Sequence, residues 1–346
     1  MNPIIIAILA ATAFAISAWF TRRFCDPGSA VYILDHPNDR SLHDRPVPRG
    51  GGLAILIAIF VCGAAVAWLQ PERGLASIAL SIFLVAVVSF IDDRYSVPPV
   101  YRFLAHTVAA AVIVYNGYVL EKLEIAGTDL NWSGAAGVVL SMLFAVWMTN
   151  LYNFMDGMDG FAGGMAVFGF GIFAVMGWTA GHSTFLAINS IIAAAAAGFL
   201  IFNFPPARIF MGDIGSSVLG LVAASLSLWG VRDGVFPFWI ALLVFSPFIA
   251  DATVTLIRRL FRGEKVWQAH KTHYYQRLVQ AGWGHRKTVL LEYALMLGCG
   301  ITALWAVRAT AETQLAVLSI WVLVYFIFFF WVSRLAARRR SGSVGA

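Results

Sequence analysis

The sequence predicts an all-α polytopic membrane protein, and three observations carry that prediction. Of its 346 residues, 60% are hydrophobic and only 12% are charged, which gives a mean hydropathy of +0.78. The apolar residues collect in uncharged runs of about 20, the length that spans a hydrocarbon core of ~30 Å as a helix. They lie all round each run and do not alternate, which excludes a β-barrel and leaves backbone polar groups to be satisfied within helices. A water-soluble protein is excluded as well.

Eleven runs follow in order, at 3–20, 51–70, 75–91, 103–119, 132–149, 162–179, 184–201, 215–230, 236–257, 288–307 and 313–333. The first has no basic stretch ahead of it and is followed by Thr21-Arg22-Arg23, so it reads as an anchor with its N-terminus outside and not as a cleaved signal peptide. Eleven crossings then place the C-terminus in the cytoplasm, together with loops 21–50, 91–102, 150–161, 202–214 and 258–287. These segments hold 20 of the 24 Lys and Arg, all but Arg73, Lys122, Arg232 and Arg308. That asymmetry agrees with the excess of positive charge on cytoplasmic loops and supports both the count and the orientation. The resulting pI of 9.4 suits anionic membrane lipids and anionic substrates and gives no reason to invoke nucleic acid. No loop is long enough for a soluble domain, so 1–346 reads as one transmembrane catalytic unit. Cys25, Cys62 and Cys299 form neither a disulfide framework nor a CxxC metal site.

Acidic and carboxamide residues gather on the same predicted face. The segments are SLHDRPVPRGGG, IDDRYSVPPVYR, NLYNFMDGMDG, NFPPARIFMGDIGSS and RRLFRGEKVWQAHKTHYYQRL. Carboxylates, amides, glycines and cations together are what a magnesium and phosphate site needs. Each has a plainer alternative. Asp92 and Asp93 could merely end a helix, although negative charge there opposes the helix dipole and two such carboxylates call for a cation. Asp156 and Asp159 could cap the next helix, as could Asp213, whose glycine-rich surroundings could equally present amides to phosphate. Arg49, with the glycines after it, could open a helix or approach an anionic head group. The cations around His270, Lys271 and His273 could be a solvated face, but phosphate binding fits better than zinc, for which a third ligand is missing. Asp251, inside a span, is expected to pair with Arg258 or a neighbour.

In this order between spans, DDR, NFMDGMDG, NFPPARIFMGD and a histidine-bearing last loop resemble the polyprenyl-phosphate N-acetylhexosamine-1-phosphate transferase family over nearly the whole chain. The resemblance implies transfer of a sugar 1-phosphate from a UDP-N-acetylsugar to undecaprenyl phosphate, with UMP released. It also implies a magnesium cofactor, for which manganese could substitute, and a bacterial inner-membrane location with a cytoplasmic active site. By motif, Asp213, Asn153 and Asp92 would hold the metal, and Asp92 and Asp93 would lie beside the acceptor phosphate. Arg102 would bind the lipid phosphate, while Asp156, Asp159 and Asn203 would line the nucleotide and metal pocket. His270, His273 and Arg277, with Arg49, would contact the substrates, and a homodimer is compatible with the family. The last loop reads HKTHYYQRL where many members have His-x-His-His. This is similar to the subgroup that starts O-antigen chains with 6-deoxy sugars such as N-acetylfucosamine or N-acetylquinovosamine, beside N-acetylglucosamine. It disfavours a phospho-MurNAc-pentapeptide translocase. A transporter is the alternative of another class, but its ionisable residues would sit near the midplane in two matching halves, and here they cluster at one face.

Overall fold

The computed structural model describes all residues except 38–40, 73, 126, 133, 266–269 and 344–346, and side chains only as far as 339. Arg73, and parts of the 21–50 and 258–287 loops, therefore lie outside the described residues. The helices are α1 Pro3–Phe24, α2 Gly51–Leu69, α3 Leu75–Tyr95, α4 Pro99–Tyr115, α5 Ala135–Phe154, α6 Phe161–Thr179, α7 Ser183–Asn203, α8 Asp213–Arg232, α9 Phe238–Val244, α10 Ser246–Phe261, α11 Tyr274–Leu278, α12 Gly284–Ala306 and α13 Ala311–Ser343. Among the described residues, nine helices are long and apolar enough to cross a membrane, ten if α9 and α10 count as one broken span.

The single run expected at 236–257 is thus two helices meeting at 82°. The cause is local: Pro247 has no N–H to continue the ladder of α9, and Ser246 Oγ donates instead to the Leu243 carbonyl at 2.7 Å. The run expected at 103–119 is α4, only 17 residues long. It nevertheless connects the two faces of the bundle, because Arg102 near its start reaches Asp213 and Tyr118 just past its end lies under the Arg232 guanidinium. Two short hairpins, β1 Ile33–Asp35 with β2 Val47–Arg49 and β3 Lys122–Ile125 with β4 Thr128–Asn131, stand where the sequence reading had only loops.

Contacts define the two faces. On one, the Met1 amino group donates to Ser183 Oγ at 2.9 Å, His182 pairs with Asp233 at 2.9 Å, and Arg308 donates to the Thr179 carbonyl at 2.9 Å. The acidic loops meet on the other, where Arg339 near the end of α13 also lies against Gly282. Residues 1 and 339 are therefore on opposite faces, as an odd number of crossings demands.

At the centre stands α8, with every residue from Ile214 to Gly230 buried. Its Gly, Ala and Ser residues let neighbouring backbones approach closely, the usual route to tight packing between apolar helices in a membrane. A Cβ on Gly220 would come within 2.5 Å of the Met148 carbonyl on α5, and one on Gly215 within 2.7 Å of Gly52 Cα on α2. This packing brings the first residue of α8, Asp213, to the meeting point of α2, α3 and α5.

Candidate functional site

The acidic cleft has a volume of roughly 180 Å³ and is lined by residues from five loops, among them Arg49, Asp93, Asp156, Asp159, Asn203, Asp213 and His285. Beside the cleft, and sharing Asp213 with it, a polar cluster of Asp92, Arg102 and Asn153 begins at the end of α3. Asp92 Oδ1 accepts from the Val97 amide at 2.6 Å, and its Oδ2 accepts from Arg102 Nη1 at 2.5 Å. The same Nη1 lies 3.0 Å from Asp213 Oδ2, so one guanidinium nitrogen bridges two carboxylates. Asn153 Nδ2, from the last turn of α5, donates to Asp213 Oδ1 at 3.0 Å and to Ser216 Oγ at 2.9 Å.

Asp93 does something the sequence did not suggest. Only 2% exposed, its carboxylate accepts from the amides of Asp213 and Ile214, both at 3.1 Å. It is the cap of α8, supplied across 120 residues by another helix. Two adjacent acids at the C-terminus of α3 are unfavourable there, but one of them faces the positive end of α8, which offsets the cost. Arg49 secures the same group, with Nη1 3.8 Å from Asp93 Oδ1 and Nη2 donating to the Asp93 carbonyl. Asp213 is consequently not a cap, and its side chain is left for the cleft. Gly50, at φ +107, turns the chain so that the Gly51 and Gly52 amides donate to the Phe210 and Met211 carbonyls at 2.9 and 2.8 Å. The glycines after Arg49 thus open α2 against the 210–215 loop.

Across the cleft, neither Asp156 nor Asp159 caps α6, whose cap is Gly160. Burial together with the charges of Asp213 and Asp93 pushes the Asp156 carboxyl well above the usual carboxylate range. Asp159 accepts from the Ala207 amide at 2.9 Å and pairs with His285 Nδ1 at 3.0 Å. Asn203 braces two loops, accepting from the Gly160 amide and donating to the Ile209 carbonyl, both at 2.9 Å.

His270, His273 and Arg277 do not line this cleft. His273, 2% exposed, lies 3.2 Å from Asp251 Oδ1. Asp251 also accepts from the Tyr274 and Tyr275 amides at 2.9 Å. The expected pairing of Asp251 with Arg258 is therefore corrected: Asp251 caps α11 and holds His273, because a buried carboxylate finds its donors in a helix N-terminus. Sequence reasoning missed His285, Asp35 and His43, which line the cleft. The Nε2 of His43 is buried with no hydrogen-bond partner among the described residues. A signal existed for His285, the last-loop histidine outside HKTH that follows the Gly282-Trp283-Gly284 turn.

The donor set fits a magnesium ion by its chemistry: carboxylate and carboxamide oxygens are hard ligands, and Asp92, Asp213 and Asn153 lie in one cluster in which Arg102 bridges the two carboxylates. Among the described residues, the one trio of carboxylate and imidazole ligand atoms within 4.8 Å of one another is instead Glu72, His182 and Asp233, on the opposite face. Arg232 Nε, 2.6 Å from Asp233 Oδ1, already supplies the positive charge there.

Fold and site together define a polytopic membrane protein with an acidic cleft at one face. Residues 75–231 match the family described as glycosyl transferase family 4. The chain is 33% identical over 300 residues to a probable undecaprenyl-phosphate N-acetylglucosaminyl 1-phosphate transferase of Bacillus subtilis (strain 168), covering 86% of this chain and 83% of that one. It is 29% identical over 334 residues to a decaprenyl-phosphate N-acetylglucosaminephosphotransferase of Mycobacterium tuberculosis, covering 87% and 81%. To a phospho-N-acetylmuramoyl-pentapeptide-transferase of Shouchella clausii it is 28% identical over 265 residues, covering 70% and 78%. The chain belongs to the polyprenyl-phosphate N-acetylhexosamine-1-phosphate transferase family, and it is a membrane-embedded sugar-1-phosphate transferase.

Proposed function

We propose that this enzyme transfers an N-acetylhexosamine 1-phosphate from a UDP-sugar to undecaprenyl phosphate, releasing UMP, at the cytoplasmic face of a bacterial inner membrane. The observation that carries this reading is the bridge of Arg102 between Asp92 and Asp213, with Asn153 beside it. A cation held between two acids at a bilayer face is where a lipid phosphate and a soluble diphosphate can meet. Bound magnesium, held by Asp213, Asp92 and Asn153, would neutralise charge on the donor diphosphate.

The residues of the chain do the rest by positioning. The second pKa of a phosphate monoester is near ~6, so the acceptor is largely dianionic at neutral pH and needs no general base. One of its oxygens attacks the β-phosphorus of the donor. The bond from that phosphorus to the oxygen bridging the α-phosphate breaks, and UMP leaves with the oxygen. Arg49 at the cleft wall and Arg102 beside Asp213 set positive charge where the anions collect. Asp93 keeps the start of α8 in place, and the Asp159–His285 pair with Asn203 fixes the opposite wall. A single displacement accounts for the transfer without a covalent aspartyl phosphate.

The donor sugar is proposed as N-acetylglucosamine, which the names of two relatives carry, and 6-deoxy N-acetylhexosamines are tested beside it. The test is UMP release by purified protein with undecaprenyl phosphate, against a panel of UDP-N-acetylsugars. Release with one donor, lost on chelation and restored by magnesium or manganese, is expected. Release with none from folded protein overturns the reading.

A further inference from the structure

The last-loop cations missing from the acidic cleft gather elsewhere. A second pocket of roughly 440 Å³, between the end of α10, α11 and the last turns of α13, is lined by Arg258, Arg262, Lys271, Arg277 and Arg339. Among the described residues it shares no lining residue with the acidic cleft. Among the described residues no carboxylate lines it, and two carboxylates of this region are committed elsewhere. Asp251 caps α11, and Glu264 pairs with Arg259 at 2.8 Å.

Its cations are placed by specific contacts. Arg277 Nε donates to the Thr272 carbonyl at 2.9 Å, and its guanidinium lies 5.0 Å from the centre of the Tyr274 ring. Gln280 Nε2 donates to the Lys271 carbonyl at 2.8 Å. Gly282 has φ +94, and a Cβ there would lie 2.1 Å from Arg339 Nη1, so a side chain at 282 would displace that arginine. Five like charges around one cavity repel one another, and an anion between them removes the repulsion.

The neighbouring side chains say which anion. On α10, Ile257, Leu260 and Phe261 are 48%, 65% and 87% exposed beside Arg258 and Arg262, and on α13 Phe326, Ile327 and Phe330 are 68%, 55% and 54% exposed. Apolar side chains flanking a cationic pocket match an amphiphile, with its phosphate in the pocket and its chains along the helices. We propose that this pocket binds the phosphate of an anionic membrane phospholipid. The inference does not depend on the transfer reaction.

The test is native mass spectrometry of the detergent-solubilised full chain titrated with phosphatidylglycerol and, separately, phosphatidylcholine. The wild type is expected to retain phosphatidylglycerol over phosphatidylcholine. Arg258→Gln/Arg262→Gln should lose at least about tenfold in phosphatidylglycerol affinity, with weak phosphatidylcholine retention unchanged, and raised ionic strength should weaken the wild-type complex. Arg339→Gln, at the exposed end of α13, tests the same pocket with little risk to folding and should lose a few-fold. Equal phosphatidylglycerol retention by wild type and Arg339→Gln overturns the proposal. Protection of the lipid-free protein by inorganic phosphate, with no preference for phosphatidylglycerol, overturns the lipid assignment in favour of a soluble anion.

Discussion

Replacing Asp93 by alanine removes the carboxylate that accepts from the Asp213 and Ile214 amides at 3.1 Å each and pairs with Arg49. Two charge-assisted bonds at a helix N-terminus are lost and two amides are left without a protein acceptor, which costs about 2–4 kcal/mol once water reaching them from the cleft is allowed for. For a chain of this length that is a drop of about 3–6 °C in unfolding temperature. Cys62 and Cys299 are 1% and 0% exposed, so a dye that becomes fluorescent on reacting with thiols reports unfolding in detergent. The loss should appear without donor, acceptor or metal, because it comes from the cap and not from the chemistry. Unfolding of Asp93→Ala at the wild-type temperature would refute the assignment of Asp93 as the cap of α8.

Gly52→Ala should destabilise severely or prevent folding, since its Cβ would lie 2.2 Å from Gly215 Cα, whereas Gly63→Ala on the same helix meets nothing within 4 Å and should unfold like wild type. Asp159→Asn and His285→Ala should be non-additive by about 1 kcal/mol in a double-mutant cycle on stability, because the two groups meet at 3.0 Å. Burial and the neighbouring His273 and Arg259 depress the His270 pKa to about 4. Its folded value lies below its ordinary one, so its contribution is complete above about pH 6.5 and is lost as pH falls toward 4. Unfolding temperatures measured across that window should decline less steeply for His270→Gln than for wild type.

Much of this was legible in the sequence because it is local. Apolar runs give helices, and parity with the cation count places Asp92, Asn153, Asp156 and Asp213 on one face, where the structure joins them. What escaped depends on partners far along the chain. The cap of α8 comes from Asp93, that of α11 from Asp251, and the partner of Asp159 is His285. Each acid reads as an ordinary helix end or ion-pair member until the fold supplies its donor. The 82° break between α9 and α10 was hidden because Pro247 sits within an unbroken apolar run. The histidines singled out in the last loop, by contrast, lie away from the cleft, and His273 is spent on holding α11.

The most direct test of the central claim compares UMP release by wild type and Asp213→Asn, with unfolding of both followed by the thiol dye. Asparagine keeps the shape of the side chain and removes its charge, so the account predicts at least about a hundredfold loss of turnover, with an unfolding temperature equal to or above wild type because clustered carboxylates no longer repel. Turnover within a few-fold of wild type would contradict the placement of the transfer reaction at this cleft.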